Sequence, residues 1–158
     1  MRRFWTGLLA AVLIAAPSAM PVAGQTKAAP RTIDINGTDD MKFSITNITA
    51  KPGETLRVRL HVISKMPKVA MSHNFVLFNA GTTEKQLADF AAAGMAKGPV
   101  TYVPPEMKNL VLASTPMGGG GEVVETTFTV PKTPGTYPFI CSFTGHYLVG
   151  MKGTLTAK

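Results

Sequence analysis

Residues 54–62 read Glu54-Thr55-Leu56-Arg57-Val58-Arg59-Leu60-His61-Val62, and the apolar members Leu56, Val58, Leu60 and Val62 take every second position. A period of two belongs to a strand with one face in a core and the other toward water, so His61 is expected on the wet face with the arginines. Residues 125–130 repeat the pattern with Thr126, Phe128 and Val130 inward, and Phe43 and Ile45 do so weakly before Ile48. Further strands are predicted at residues 32–36, 73–78, 110–113, 136–141 and 152–157, with turn signals between them at Asn36-Gly37, Pro52-Gly53, 118–121 and Pro134-Gly135. Such spacing predicts an all-β fold: an antiparallel Greek-key sandwich of seven or eight strands. One short helical insert interrupts it, capped by Thr82 or Thr83 and running to about Met95, with Leu87, Phe90 and Ala91 on one face. The glycine run at 118–121 has no Lys-Ser or Lys-Thr after it and reads as a hairpin loop, not a phosphate cradle.

The chain's 158 residues suit one domain and exclude a large multidomain enzyme. With 45% hydrophobic and 16% charged residues the composition is that of a folded chain. Arg2 and Arg3 followed by a mostly apolar stretch to Ala16 and small residues ending in Val22, Ala23 and Gly24 read as a secretory signal peptide. Cleavage is expected after Gly24, with Ala19 and Ala23 as alternative points. Residues 25–31 are then a flexible lead-in and 32–158 the folded domain, exported and, in a cell with an outer membrane, periplasmic. No stretch approaches about 18 uninterrupted apolar residues, so no membrane span is expected. Processing would remove Arg2 and Arg3 and leave fourteen basic and nine acidic residues. These bases occur singly with acids between them, which argues against a nucleic-acid partner, although the surplus can steer an acidic one.

The single cysteine, Cys141, cannot join an internal disulfide, which leaves an inert buried thiol, an intermolecular disulfide, or a metal-held or nucleophilic thiolate. Its neighbours narrow the choice. Cys141, His146 and Met151 are spaced Cys-x4-His-x4-Met between two predicted strands. Thiolate, imidazole and thioether together suit copper far better than calcium, magnesium or manganese, with zinc chemically open. His73 opens another predicted strand and would complete two histidines and a cysteine with a weak axial methionine, the ligand pattern of blue-copper electron transfer. Asn74 and Ser142 are expected to hydrogen-bond around the thiolate.

From about Ile33 to Lys158 the sequence resembles the azurins, which are cupredoxins. The likeness rests on Asp34-Ile35-x-Gly37-x-x-x-Met41-x-Phe43, Met71-x-His73-Asn74, Gly94-Met95-Ala96, the 141–151 loop, and Met151-Lys152-Gly153-Thr154-Leu155-Thr156. It implies a type 1 copper site with His73, Cys141 and His146 as strong ligands and Met151 as the axial one. Azurins have a glycine before the first histidine whose carbonyl approaches copper. Here Ser72 stands there, and its carbonyl is a further weak donor. Azurins also carry a disulfide whose matching positions here are approximately Arg31 and Glu54, so that staple is missing. The spacing from His146 to Met151 is one residue longer than in azurins and similar to that of auracyanin and rusticyanin. The azurin core tryptophan is replaced by Phe75, and the sole tryptophan, Trp5, lies in the signal segment.

The resemblance further implies a carrier of single electrons that transforms no substrate. Its electron port would be an exposed edge of His146, ringed by an apolar patch of Met71, Met95, Phe143 and Leu148. The partners implied are redox proteins such as c-type cytochromes and copper nitrite reductases. The rival reading is copper buffering or delivery, but Met41, Met66, Met71, Met95, Met107 and Met117 are dispersed and form no repeated motif. Catalysis with additional copper sites is not expected, since His61 is the one histidine left to build them.

Overall fold

The computed structural model describes residues 29–96 and 103–158. Alternation along residues 55–63 behaves as its period demands: β3 (Thr55–Ile63) buries Leu56, Val58, Leu60 and Val62 and turns Arg57, Arg59 and His61 outward. Each such aliphatic side chain taken out of water contributes about 1.5–3 kcal/mol. β1 (Arg31–Thr38) and β8 (Val123–Thr129) flank β3 to complete a three-stranded sheet. A five-stranded sheet faces it, ordered β2 (Asn47–Ala50), β10 (Lys152–Ala157), β9 (Gly135–Ile140), β5 (Val76–Phe78) and β6 (Val111–Ser114). The core between them includes Ile35, Leu56, Val58, Leu60, Phe75 and Phe139. Two-residue strands β4 (Ser72–His73) and β7 (Gly118–Gly119) pair at one end. Among the described residues no helix is long and apolar enough to cross a membrane.

Helix α1 (Glu84–Ala96) starts from Thr83, whose Oγ1 accepts the Gln86 N–H while the Gln86 Oε1 accepts the Thr83 N–H, a reciprocal cap that decides between the two threonines. Leu87 and Phe90 are buried in a second core with Val76, Phe78, Ile140 and Tyr147, the Phe90 ring standing edge-on to Phe78. The insert thus leans on the outer face of the five-stranded sheet, behind the strand that leads to Cys141.

Several expectations need correction. The sandwich is not wholly antiparallel, because β1 runs parallel to β3 and β2 parallel to β10. Asn36-Gly37 lies inside β1 and not at a turn. Phe43 makes only an isolated bridge to Gly37, and the following strand begins at Asn47. Arg31 belongs to β1, not the lead-in, and its guanidinium meets the Glu54 carboxylate at 2.6 Å. An ion pair therefore ties the start of β1 to the residue just before β3. The strand expected over 73–78 breaks at Asn74 and Phe75, since the Phe75 N–H goes to Thr115 Oγ1 and the Asn74 amide to Ser142. Gly118 and Gly119 form a strand against Ser72 and His73 instead of a free loop. Close backbone packing explains the run: a Cβ on Gly120 would lie 2.3 Å from the Ser64 carbonyl oxygen.

Candidate metal centre

Antiparallel pairing of β9 with β10 sets Ile140 opposite Lys152, so Cys141 leaves one strand directly beside Met151, which enters the other. The Cys141 N–H donates to the Met151 carbonyl at 3.0 Å, and the Met151 N–H to the His146 carbonyl at 2.9 Å. The 141–151 loop is therefore closed on itself by its own backbone. His73 arrives from β4, held by pairing with Gly118. Gly37 makes room for its ring, since a Cβ there would sit 3.0 Å from His73 Cγ and Cδ2.

These elements bring three donor atoms together. His73 Nδ1 lies 3.1 Å from His146 Nδ1, and Cys141 Sγ lies 3.9 Å from the first and 3.5 Å from the second. Donors held at about 2.0–2.3 Å by one ion and spread by roughly 100–120° stand about 3.1–4.0 Å apart, so the observed set fits a single soft metal. His73, Cys141 and His146 are all buried, and Met151, fully buried, packs in the same core as Cys141. Ser72 is buried beside His73, its Oγ donating to the Lys68 carbonyl.

Burial also sets the protonation of the donors. It pushes the Cys141 thiol up to about 12, against the backbone N–H groups of Asn74 and Phe143, which favour thiolate. It pulls His146 down to about 4, with repulsion from a charged His73 adding to the effect. His73 is lowered by burial too, tempered by Asp39 and the Thr38 carbonyl. Burial thus favours the neutral form of both imidazoles, the form that ligates. Proton loss from the thiol is what binding a cation would drive.

Asn74 and Ser142 do what was expected of them. The Ser142 N–H donates to Asn74 Oδ1 at 2.8 Å, and Asn74 Nδ2 donates to Ser142 Oγ at 2.9 Å, tying the His73 segment to the residue after Cys141. The expected rim is corrected. His146 is only 2% exposed, and Met71 and Phe143 are buried, whereas Leu148 at 79% and Val149 at 48% stand in solvent. The Phe143 ring covers His146 with centroids 4.8 Å apart. Met95 falls in α1, and its side chain lies outside the described residues. Sequence reasoning missed three supports. Thr115 anchors Phe75, Tyr147 donates its hydroxyl to Glu84 of α1 at 2.5 Å, and Lys42 donates to the Val149 carbonyl. None has a local signal, because each acts across long sequence distances.

The family model described as copper binding proteins, plastocyanin/azurin family, matches residues 30–158. An azurin of Pseudomonas denitrificans is 40% identical over 130 residues, covering 80% of this chain and 98% of its own. Auracyanin-A of Chloroflexus aurantiacus is 35% identical over 130 residues, covering 82% of this chain and 75% of its own. The solved structure of auracyanin A, titled a "blue" copper protein, superimposes with a TM-score of 0.73 over 82% of this chain and 100% of that one. Reduced auracyanin from Roseiflexus castenholzii is 30% identical with a TM-score of 0.71, covering 83% of this chain and 99% of its own.

Proposed function

The chain belongs to the plastocyanin/azurin family of copper-binding proteins, and from that premise we propose that His73, Cys141, His146 and Met151 are the ligands through which this blue copper protein carries single electrons. The observation that carries the ligand assignment is the convergence of two imidazole Nδ1 atoms and a thiol, all buried, within 4.8 Å of one another. Copper bound there supplies the one-electron Cu(I)/Cu(II) couple. The protein's part is to hold the donors still and dry. His73 and His146 present neutral lone pairs, Cys141 gives up its proton on binding, and Met151 offers a weak thioether. The Ser72 carbonyl, from the residue before His73, would be a further weak donor. Strand pairing and the Asn74–Ser142 bridge keep these groups in one arrangement, which keeps rearrangement on electron exchange small.

Export is part of the same reading. Residues 1–24 act as the signal peptide, 25 onward as the mature chain, and the protein works in the periplasm. Its partners are redox proteins, with c-type cytochromes and copper nitrite reductases as the classes that the family resemblance suggests. Leu148 and Val149, the exposed apolar residues of the ligand loop, are the contact we assign to a partner. A small contact of this kind, typically under about 1,200 Å², suits a short-lived encounter.

Titration with Cu(II), read by visible absorption, tests the assignment. One equivalent is expected to raise an intense blue thiolate band that reductant bleaches and that Cys141→Ser abolishes. A band that survives Cys141→Ser would remove the thiolate from the site. A colourless protein that hands Cu(I) readily to an apo-acceptor would instead favour copper delivery.

A further inference from the structure

The turn between β1 and Phe43 is built with a conformation that L-residues avoid. Met41 has φ 55, in the left-handed region, where a non-glycine residue is held only when its surroundings require it. Hydrogen bonds from Met41 N–H to the Thr38 carbonyl and from Thr38 N–H to the Lys42 carbonyl close the turn, and the Gly37–Phe43 bridge seals its base. The outcome is to aim Lys42 at the ligand loop, where its Nζ donates to the Val149 carbonyl, 107 residues away in sequence.

Within that loop the carbonyls of Gly145, His146, Tyr147, Gly150 and Met151 each accept a backbone N–H. The Val149 carbonyl accepts the Lys42 ammonium instead. Gly150 follows with φ 91, and a Cβ there would come within 3.1 Å of Lys42 Nζ. A strained turn, a side chain seated on the loop and a glycine that clears space for it all point the same way. We propose that Lys42 is a positioning residue of the metal site: its ammonium straps the last turn of the ligand loop and so fixes Met151 against the other three donors. The inference rests on the reading of Met151 as a ligand. The strap also holds Val149, half of the exposed apolar contact, in a defined place.

Two readouts on the full mature protein test this. Hydrogen exchange of the Gly150 and Met151 amides in the copper-free protein reports the strap, and the intensity ratio of the thiolate-to-copper bands in the copper-loaded protein reports the axial geometry. Lys42→Met is expected to speed exchange about tenfold, as loss of one charge-assisted hydrogen bond allows, and to change the band ratio. Lys42→Arg is expected to restore both. Should Lys42→Met fold poorly, Lys42→Gln, which keeps a polar head but no charge, is read in the same way. Faster exchange with an unaltered band ratio would overturn the role in the site, and unaltered exchange would overturn the strap itself. A wild type that gives no blue band with copper would overturn the copper-site reading on which this inference rests, and so is distinct from either result above.

Discussion

Replacing Asn74 by alanine cuts a side-chain bridge between the His73 segment and Ser142 at the start of the ligand loop. Asn74 is buried; its Oδ1 receives the Ser142 N–H at 2.8 Å, and its Nδ2 reaches Ser142 Oγ at 2.9 Å. A buried polar group deprived of its partner costs about 1–3 kcal/mol. The backbone N–H cannot turn elsewhere and takes the upper part of that range, whereas the Ser142 hydroxyl can rotate and takes the lower part. Asn74→Ala is therefore expected to cost about 2–4 kcal/mol, and Ser142→Ala, which leaves the N–H bond in place, about 1 kcal/mol. Urea unfolding of the copper-free protein measures both. With a slope of about 1–3 kcal/mol per molar, the Asn74→Ala midpoint falls by about 1–2 M at unchanged slope. Equal losses in the two variants, or an Asn74→Ala loss under about 1 kcal/mol, would refute the idea that the buried backbone bond does most of the joining.

Glu54→Gln is expected to cost less than about 1 kcal/mol, because the pair with Arg31 is partly in solvent. The Arg31 hydrogen bond holds the Glu54 carboxyl below its ordinary value, so its stabilisation is present above the unfolded value of about 4.3 and fades as pH falls through the lower folded one; urea midpoints of wild type and variant should converge in strong acid, and a gap that persists there would sink the assignment. Gly37→Ala places a methyl 3.0 Å from the His73 ring and is expected to cost about 1–3 kcal/mol while altering the blue band, since ring and backbone cannot both stay in place. Thermal unfolding and absorption check it, and a variant identical to wild type in both would show that the ring has slack.

How far the sequence could be read depends on the range of the forces involved. Leu56 to Val62 were legible because burial on one sheet face repeats at the period of the backbone. Helix α1 was legible because Leu87, Phe90 and Ala91 recur at helical spacing after a capping threonine, while the choice of Thr83 over Thr82 needed the reciprocal bond with Gln86. The parallel pairings of β1 with β3 and β2 with β10 left no local trace, as strands with the same alternation pair in either sense. The break at Asn74–Phe75 was hidden for a related reason: apolar pattern continues through it, and only Thr115 and Ser142, distant in sequence, reveal that those backbone and side-chain groups bond elsewhere. The burial of Met71, Phe143 and His146 was also out of reach, since loops carry no periodicity from which exposure follows. That His73, Cys141 and His146 would meet was legible because their residue types are chemically particular.

That particularity becomes a site through topology. A hairpin between adjacent strands brings Cys141 and Met151 side by side at the cost of one loop, and His146 rides on that loop, so three of the four donors are nearly local. His73 is the distant one, and the supports at Gly37, Gly118 and Asn74 all serve its segment. The arrangement is electrostatically one-sided: burial opposes a positive charge on either imidazole and a negative charge on the thiol, while packing two lone pairs and a sulfur within contact of one another. A cation at their centre offsets the charge of the thiolate and takes up the imidazole lone pairs at once, which none of the groups can do alone. Selectivity for a soft metal follows from the sulfur donors. The limited freedom to rearrange follows from the strands that carry them, so the features that bind the metal are the same ones that fit it to gain and lose an electron with little motion.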